Sequence, residues 1–141
     1  MSQIVDFNWI EFQELGDSRG SLVSIEVGNQ KQVPFEVKRL YYIYRTEEGV
    51  SRGYHAHKNL KQIAFAIHGN CDMVLDDGIN RQTVRLDDPT KGILIENMVW
   101  REMHNFSSDC VLLVLASEHY DEGDYIRDYQ RFIEHCAGKG K

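Results

Sequence analysis

The sequence predicts a small all-β domain, a β-barrel followed by one short C-terminal α-helix. Three observations predict it. Nine short segments are rich in β-branched, aromatic and other apolar residues, turn residues separate these segments, and helical periodicity is clear only near the C-terminus. The chain has 141 residues, enough for one domain with a buried core, so we expect residues 1–141 to form a single domain.

The predicted strands follow one another closely along the chain. They cover residues 21–27, 37–44, 52–57, 62–68, 71–75, 81–86, 92–95, 100–106 and 111–116. The sequence Asp76-Asp77-Gly78 predicts a hairpin turn, because Asp-Gly pairs adopt the backbone twist of tight hairpins. The last segment, VLLVLA, is apolar throughout, which is typical of a strand covered on both faces.

One helix is predicted at the C-terminus. Apolar residues recur there at helical spacing, namely Tyr125, Ile126, Tyr129, Phe132 and Ile133. Asp121 or Asp124 can cap the start of this helix, because a carboxylate accepts hydrogen bonds from the first free backbone N–H groups.

The net charge argues against two classes of partner. With a formal charge of −6 and a pI near 5.5, the chain is unsuited to a dominant contact with nucleic acid or with an anionic membrane surface. No apolar run is long enough to span a bilayer, and the first residues lack the pattern of a secretion signal. We therefore expect a cytoplasmic protein without nucleic-acid or membrane partners.

The segment RGYHAH, residues 52–57, carries the strongest functional signal. His55 and His57 lie two residues apart in a predicted strand, so both imidazoles project from one face. Histidine titrates near neutral pH and is also the commonest metal ligand. Arg52 offers a planar set of donors suited to phosphate or carboxylate, and Gly53 allows close backbone approach. The histidine pair indicates either proton transfer or a metal site.

A metal site needs further ligands. His104, in a later predicted strand, is the third candidate, since a barrel can bring it opposite the first pair. Gln62 stands where a carboxylate would complete a set of three histidines and one glutamate, and a neutral amide is a poor ligand. Gln62 therefore weakens the metal hypothesis, although a three-histidine site stays open.

Two further residues have both an ordinary structural interpretation and a functional one. Residues 17–20, DSRG, read as a turn in which Arg19 is simply exposed. Tyr41 lies in a predicted strand, where tyrosines usually belong to the core, and alternation places it on the face opposite its neighbouring tyrosines. Each of the two side chains could instead meet a ligand.

These stretches resemble a cupin, and within the cupins they resemble the dTDP-4-keto-6-deoxy-D-glucose 3,4-ketoisomerases. The first cupin motif matches His55-Ala56-His57 with Gln62, and the second matches residues 92–106. The closer resemblance spans nearly the whole chain and rests on DSRGSL at 17–22, KRLYYIY at 38–44, RGYHAHK at 52–58, VWREMH at 99–104 and the tail at 106–127.

The resemblance implies a metal-free, cofactor-free cupin barrel (jelly roll) that works as a homodimer with exchanged N-terminal strands. It implies that a keto group moves from C4 to C3 of a dTDP-linked sugar through an enediol, in a deoxy-amino-sugar pathway. His55 is then the principal proton-transfer residue, His57 a second acid–base group or polariser, and Tyr41 a phenol bonded to the migrating oxygens. Imidazoles suit this task because acid–base groups work best with a pKa near the working pH.

The resemblance also implies a substrate-binding set. Arg52 would hold the diphosphate, and Arg19 would reach the ligand from the same or the exchanged chain. The remaining members are Gln62, Arg101 and His104. Arg19 resembles the family members that form the galacto product, whereas Arg101 resembles those that form the gluco product, and we favour the galacto product.

Two other functions stay open at this point. Sugar-nucleotide 3,5-epimerases share the Arg-Gly-x-His run, but they have Gln at the position of His57, so the doubled histidine favours ketoisomerisation. The non-enzymatic alternative is a cupin module that senses a metal ion or a sugar.

Overall fold

Two antiparallel sheets packed face to face form most of the molecule. The structure is a computed structural model that describes residues 8–28 and 32–139. Its strands are β1 (Asn8–Glu11), β2 (Glu14–Asp17), β3 (Gly20–Val23), β4 (Arg39–Tyr44), β5 (Arg52–His57), β6 (Gln62–His68), β7 (Cys71–Asp76), β8 (Arg81–Leu86), β9 (Lys91–Ile95), β10 (Trp100–His104), β11 (Val111–Ala116) and β12 (Tyr125–Ile126). A 3-10 turn (Glu122–Asp124) precedes β12, and the helix α1 (Tyr129–Lys139) follows it.

The strand order places sequence-distant segments side by side. The first sheet has the order β1-β9-β6-β11-β4, and the second has the order β12-β5-β10-β7-β8. A separate hairpin, β2-β3, belongs to neither sheet. Crossovers of this kind between two antiparallel sheets are typical of a jelly roll. The predicted all-β class with a C-terminal helix is confirmed.

The main core fills the space between the two sheets. Its buried side chains come from both sheets and include Met73, Leu75, Ile93, Leu112 and Val114. Burying each large apolar side chain of this kind contributes about 1.5–3 kcal/mol relative to leaving it in water. Cys71, the first residue of β7, and Cys110, the residue before β11, lie in the same core as free thiols.

A second apolar cluster covers part of the outer face of the first sheet. It contains Phe12, Phe35, Ile63, Phe65 and Leu115. Because β11 contributes to both clusters, its continuous apolar sequence is explained by burial on both faces, as predicted.

The helix packs against the second sheet and begins later than predicted. Tyr125 and Ile126 form β12, which pairs with β5, so the expectation that they start the helix is wrong. The residue that binds the first turn is Asp128, whose carboxylate accepts the Arg131 N–H at 3.0 Å. Phe132 anchors the helix, fully buried against Trp100.

The sequence pattern also misses β1 and β2 and makes β3 too long. These strands have only four residues each, and most of their side chains are exposed, so they lack the alternation that identifies a half-buried strand. Among the described residues, no helix has the length and apolar character needed to cross a bilayer.

Candidate active site

A bulge in β5 turns the two histidines toward the interior. Opposite β10, His55 pairs with Arg101 and Gly53 pairs with Glu102, so Tyr54 is an extra residue on β5. Gly53 and Tyr54 have φ values of 92° and 60°, in the left-handed region. An added Cβ at Gly53 would lie 3.1 Å from the backbone oxygen of Arg101, which explains why this position is glycine.

The side chain of His55 lines a cavity of about 320 Å³ between the sheets. Three arginines and three tyrosines dominate its wall, and the full lining is Arg39, Tyr41, Ile43, Arg52, Gly53, His55, Met103, Tyr120, Tyr125 and Arg127. No carboxylate is among these lining residues, so the cavity concentrates positive charge and suits an anionic ligand.

His55 is held as a neutral imidazole. Burial, reinforced by the positive charge of Arg101, lowers its pKa from 6.5 to about 4. Its ring lies edge-on to that of His57, with the centroids 4.9 Å apart, and against Tyr125 with the centroids 5.0 Å apart. At neutral pH His55 is therefore an unprotonated base that faces the cavity.

His57 lies next to His55 but is almost completely buried, with 1% of its surface exposed. It does not line the arginine-rich cavity. It contributes instead to a smaller cavity of about 230 Å³, which shares Tyr120 and Tyr125 with the first. Its Nδ1 lies 3.0 Å from Oδ2 of Asp124. Burial and Arg101 lower the pKa of His57 to about 2, so this imidazole too is neutral.

A chain of buried hydrogen bonds fixes the phenol of Tyr41. Arg101 donates to the amide oxygen of Gln62, which leaves the Gln62 amide nitrogen to donate to the Tyr41 oxygen at 3.0 Å. Because that oxygen accepts from Gln62, the phenolic proton is free for a ligand. Burial raises the pKa of Tyr41, so the phenol keeps its proton at neutral pH.

Arg101 is a buried support and does not reach the cavity. None of its surface is exposed, and it donates twice to the Val99 carbonyl oxygen, at 3.3 and 2.9 Å. Burial lowers the pKa of Arg101 to about 10, which still leaves it charged at neutral pH. Arg101 and Gln62 are not among the residues that line the cavity, because the two side chains bond to each other and to protein groups next to Tyr41. Their predicted contacts with substrate stay predictions.

His104 does not converge with the histidine pair. Along β10, Arg101 and Met103 point inward, so His104 and Glu102 point to the outer face. There the two ring nitrogens of His104 contact Glu102 at 2.9 Å and the Ser51 hydroxyl at 2.7 Å. His104 therefore lies outside the cavity that His55 lines, and the three histidines do not form a metal set among the described residues; the predicted contact of His104 with substrate stays a prediction.

Arg19 also lies away from the cavity of its own chain. It sits at the turn of the exposed β2-β3 hairpin and forms an ion pair with Asp17 at 2.6 Å. Within residues 8–28 and 32–139, no group of three or more His, Cys, Asp or Glu side chains is arranged to hold a metal ion.

Residues 5–137 match the model of a family described as "FdtA: WxcM-like, C-terminal". The chain belongs to this family. The match covers nearly the whole chain, so the fold and the cavity described above are those of an FdtA/WxcM-like protein.

Two proteins similar to this FdtA/WxcM-like chain are named as sugar isomerases. A TDP-4-oxo-6-deoxy-alpha-D-glucose-3,4-oxoisomerase of Aneurinibacillus thermoaerophilus is 50% identical over 128 residues, 91% of each chain. A 3,4-ketoisomerase of Helicobacter canadensis is 45% identical with a TM-score of 0.89, covering 94% of this chain and 98% of that one.

A third similar structure contains a ligand. It is a His-to-Asn mutant of a 3,4-ketoisomerase of Thermoanaerobacterium thermosaccharolyticum in complex with TDP-4-keto-6-deoxyglucose. It is 38% identical to this FdtA/WxcM-like chain, with a TM-score of 0.92, and the alignment covers 97% of this chain and 98% of that one.

Sequence reasoning misses the residues that the C-terminal tail of this FdtA/WxcM-like protein brings to the site. They are Tyr120, Asp124, Tyr125 and Arg127, which lie at or near the predicted start of the helix. Arg127 stacks 4.1 Å above the Tyr125 ring and binds Glu122 at 2.8 and 2.9 Å. The available signal was a cluster of aromatic and charged residues after the last long strand, which does not require a helix.

Proposed function

We propose that the chain is a sugar-nucleotide 3,4-ketoisomerase that converts dTDP-4-keto-6-deoxy-D-glucose to a dTDP-3-keto-6-deoxy-D-hexose. The observation that carries the proposal is the shared cavity of His55 and Tyr41. A neutral imidazole and a protonated phenol face one space whose wall also carries three arginines. The family match, together with the similarity of the chain to proteins named 3,4-oxoisomerase and 3,4-ketoisomerase, supports the substrate class.

The reaction divides between these two groups. His55 takes the proton from C3 while Tyr41 gives its phenolic proton to the C4 carbonyl oxygen, which yields the enediol. His55 then returns its proton to C4, and the proton lost from the C3 hydroxyl restores Tyr41. Every proton and electron pair is accounted for within the sugar and the two side chains, so the balance requires no redox cofactor.

The arginines bind the diphosphate in this proposal. Arg52 and Arg127 stand at the cavity wall, and Arg39 joins them between the rings of Tyr41 and Tyr120, at 5.3 and 5.8 Å from the ring centres. Charge-assisted hydrogen bonds from guanidinium to phosphate are roughly twice as strong as neutral ones, and a guanidinium presents two parallel donors. Gln62 and Arg101 act one layer back, by orienting the phenol.

We further propose that the protein works as a homodimer with exchanged N-terminal strands. The outer face of the first sheet supports this, since Leu40, Tyr42 and Tyr44 alternate outward on β4 and all three are exposed. An apolar groove of about 500 Å³ runs between Leu40 and the hairpin residue Leu22. An isolated two-stranded hairpin is marginal in water, so β2-β3 gains stability by packing on a second subunit. Arg19 at its tip would then reach the partner's site.

Product analysis tests the proposed activity. The protein is incubated with dTDP-4-keto-6-deoxy-D-glucose, and the product is followed by NMR. We expect the ketone carbon to move from C4 to C3, with the galacto configuration at C4. A gluco product would correct only the configuration, whereas inversion at C3 and C5 with the ketone still at C4 would show a 3,5-epimerase and refute the proposal. Binding without turnover would support the sensor module. The expected cytoplasmic location stays a prediction.

A further inference from the structure

Asp124 makes a set of contacts that the proposed reaction does not use. Its side chain is buried, with 8% exposed. One carboxylate oxygen accepts the backbone N–H of Asn59 at 2.8 Å, and the other accepts that of Leu60 at 3.3 Å. The second oxygen also lies 3.0 Å from Nδ1 of His57. Asp124 therefore ties the C-terminal tail to the end of β5 at the histidine pair.

The chemistry of these contacts fixes the tautomer of His57. A carboxylate that receives two backbone N–H groups acts as an acceptor, so Nδ1 of His57 must be the donor. A neutral imidazole carries one N–H, and Nε2 of His57 consequently holds the lone pair. That nitrogen is buried and has no hydrogen-bond partner within the described residues.

We propose that Asp124 is a positioning residue that holds His57 as the Nδ1–H tautomer and leaves Nε2 as the one basic nitrogen of the ring, beside His55. The carboxylate favours a charged imidazole, but burial and the nearby Arg101 outweigh it, so His57 stays neutral.

The tautomer of His57 determines which side chain at the site can give the first proton to the sugar. In the resting protein Nε2 of His57 can accept a proton but has none to give. The first proton donated to the sugar oxygen must then come from Tyr41, whose O–H is free because its oxygen accepts from Gln62. This consequence for turnover rests on the proposed function, whereas the tautomer itself does not.

Nitrogen NMR on the wild-type protein tests the tautomer without any substrate. The protein is labelled with ¹⁵N-histidine, and the signals of His57 are identified by their loss in His57→Asn. We expect the shift of a protonated nitrogen at Nδ1 and of an unprotonated nitrogen at Nε2, stable as the pH is lowered through the range where free histidine titrates. A proton on Nε2 would overturn the proposal, whether or not the protein isomerises the sugar.

Two substitutions test the role of the carboxylate. Asp124→Asn should redistribute the tautomers of His57 and lower kcat by about 10²-fold with little change in KM. Asp124→Glu should recover part of the Nδ1–H tautomer and part of kcat. Asp121→Asn is the matched control, because Asp121 caps the same turn by accepting the Gly123 N–H at 3.0 Å and forms no hydrogen bond to His57 within the part of the chain that the structure describes. Normal His57 shifts and normal kcat in a folded Asp124→Asn protein would contradict positioning. If the wild type forms no 3-keto sugar, the proposed function fails while the NMR result still decides the tautomer.

Discussion

At the scale of single residues, the site depends on which atoms carry protons in the resting protein. His55 is neutral because it is buried near Arg101, and Tyr41 keeps its phenolic proton because it is buried between the sheets. Arg101 influences both groups without touching the ligand space, through its charge and through Gln62. The charge of Arg101 helps to keep His55 neutral, but it lowers the pKa of Tyr41, so the phenol keeps its proton because it is buried.

Replacing His55 tests the base directly. His55→Asn should fold normally and lose turnover by on the order of 10²-fold or more, because amide nitrogen cannot take the C3 proton. Activity is measured by product NMR, and folding by circular dichroism. His68→Asn is the control, since His68 is exposed and pairs only with Asp109 among the contacts of the described residues. Turnover close to wild type in His55→Asn would remove His55 from its role.

The buried neutral histidines also predict how stability depends on pH. His55 and His57 have pKa values of about 4 and about 2 in the folded protein, against 6.5 when unfolded. Below pH 6.5 the unfolded chain binds more protons than the native one, so these histidines lower the free energy of unfolding as the pH falls, by at most about 1.4 kcal/mol per pH unit each. The effect fades above pH 6.5, where the histidines of the unfolded chain also lose their protons.

Thermal unfolding at a series of pH values measures this dependence. Tm of the wild type should fall between pH 7 and pH 5, the range in which the histidines of the unfolded chain take up protons. It should fall less steeply in His57→Asn, because that variant lacks one of the two buried neutral imidazoles. His68→Asn controls for the loss of one exposed imidazole. Parallel curves for the wild type and His57→Asn would show that His57 is not held neutral by the fold.

Residue types and spacing predict part of the site. Strand alternation predicts that His55 and His57 share one face, and in the structure their ring centroids lie 4.9 Å apart. Tyr41 and Arg52 line the same cavity as His55. The sequence could not place His104 relative to the histidine pair, because the pattern of a single strand does not reveal which of its two faces is buried. Once Arg101 is known to point inward, alternation alone assigns His104 to the outer face.

At the scale of elements, the bulge in β5 and the short strand β12 build the cavity wall. The bulge absorbs Tyr54 and keeps both histidines directed inward, and β12 pairs Tyr125 with His57. Neither feature has a strong sequence signature, because β12 has only two residues and its apolar side chains continue into the helical pattern. The long central strands were predictable since they combine burial with turn residues at each end.

A substitution at Gly53 tests the bulge. Gly53→Ala should lower the free energy of unfolding by about 1–3 kcal/mol, because alanine disfavours a positive φ and its Cβ would crowd the Arg101 carbonyl at 3.1 Å. It should also reduce turnover by displacing His55. Gly138→Ala is the matched control, since a Cβ there meets no atom within 4 Å and alanine favours a helix. Equal stability of Gly53→Ala and wild type would argue against a strained bulge.

At the scale of the whole molecule, an exposed apolar sheet face predicts a second subunit. Light scattering should give the mass of a dimer for the wild type and of a monomer for Leu40→Asp, because a buried unpaired carboxylate is costly. Leu40 is 53% exposed and lines the apolar groove, whereas the control position Ile79 is 88% exposed in a hairpin of the other sheet. A monomeric wild type would contradict the dimer.

Mixing two inactive variants tests whether the subunits share sites. If Arg19 reaches the partner's cavity, each mixed dimer of one Arg19→Ala and one His55→Asn subunit contains one site with both native residues. That site combines His55 of the first subunit with Arg19 of the second. Activity should then return on mixing after denaturation and refolding. Mixtures no more active than their components would place Arg19 outside the site.

Proton transfer between C3 and C4 of a nucleotide-linked keto sugar is tested most directly by isotope labelling. The wild-type protein is incubated with dTDP-4-keto-6-deoxy-D-glucose in deuterated water, and the sugar carbons are followed by NMR. We predict a 3-keto product without deuterium at C5, in which C4 carries deuterium wherever the proton taken up by His55 exchanges with solvent before it is returned. Deuterium at C5, or a ketone that stays at C4, would contradict this transfer.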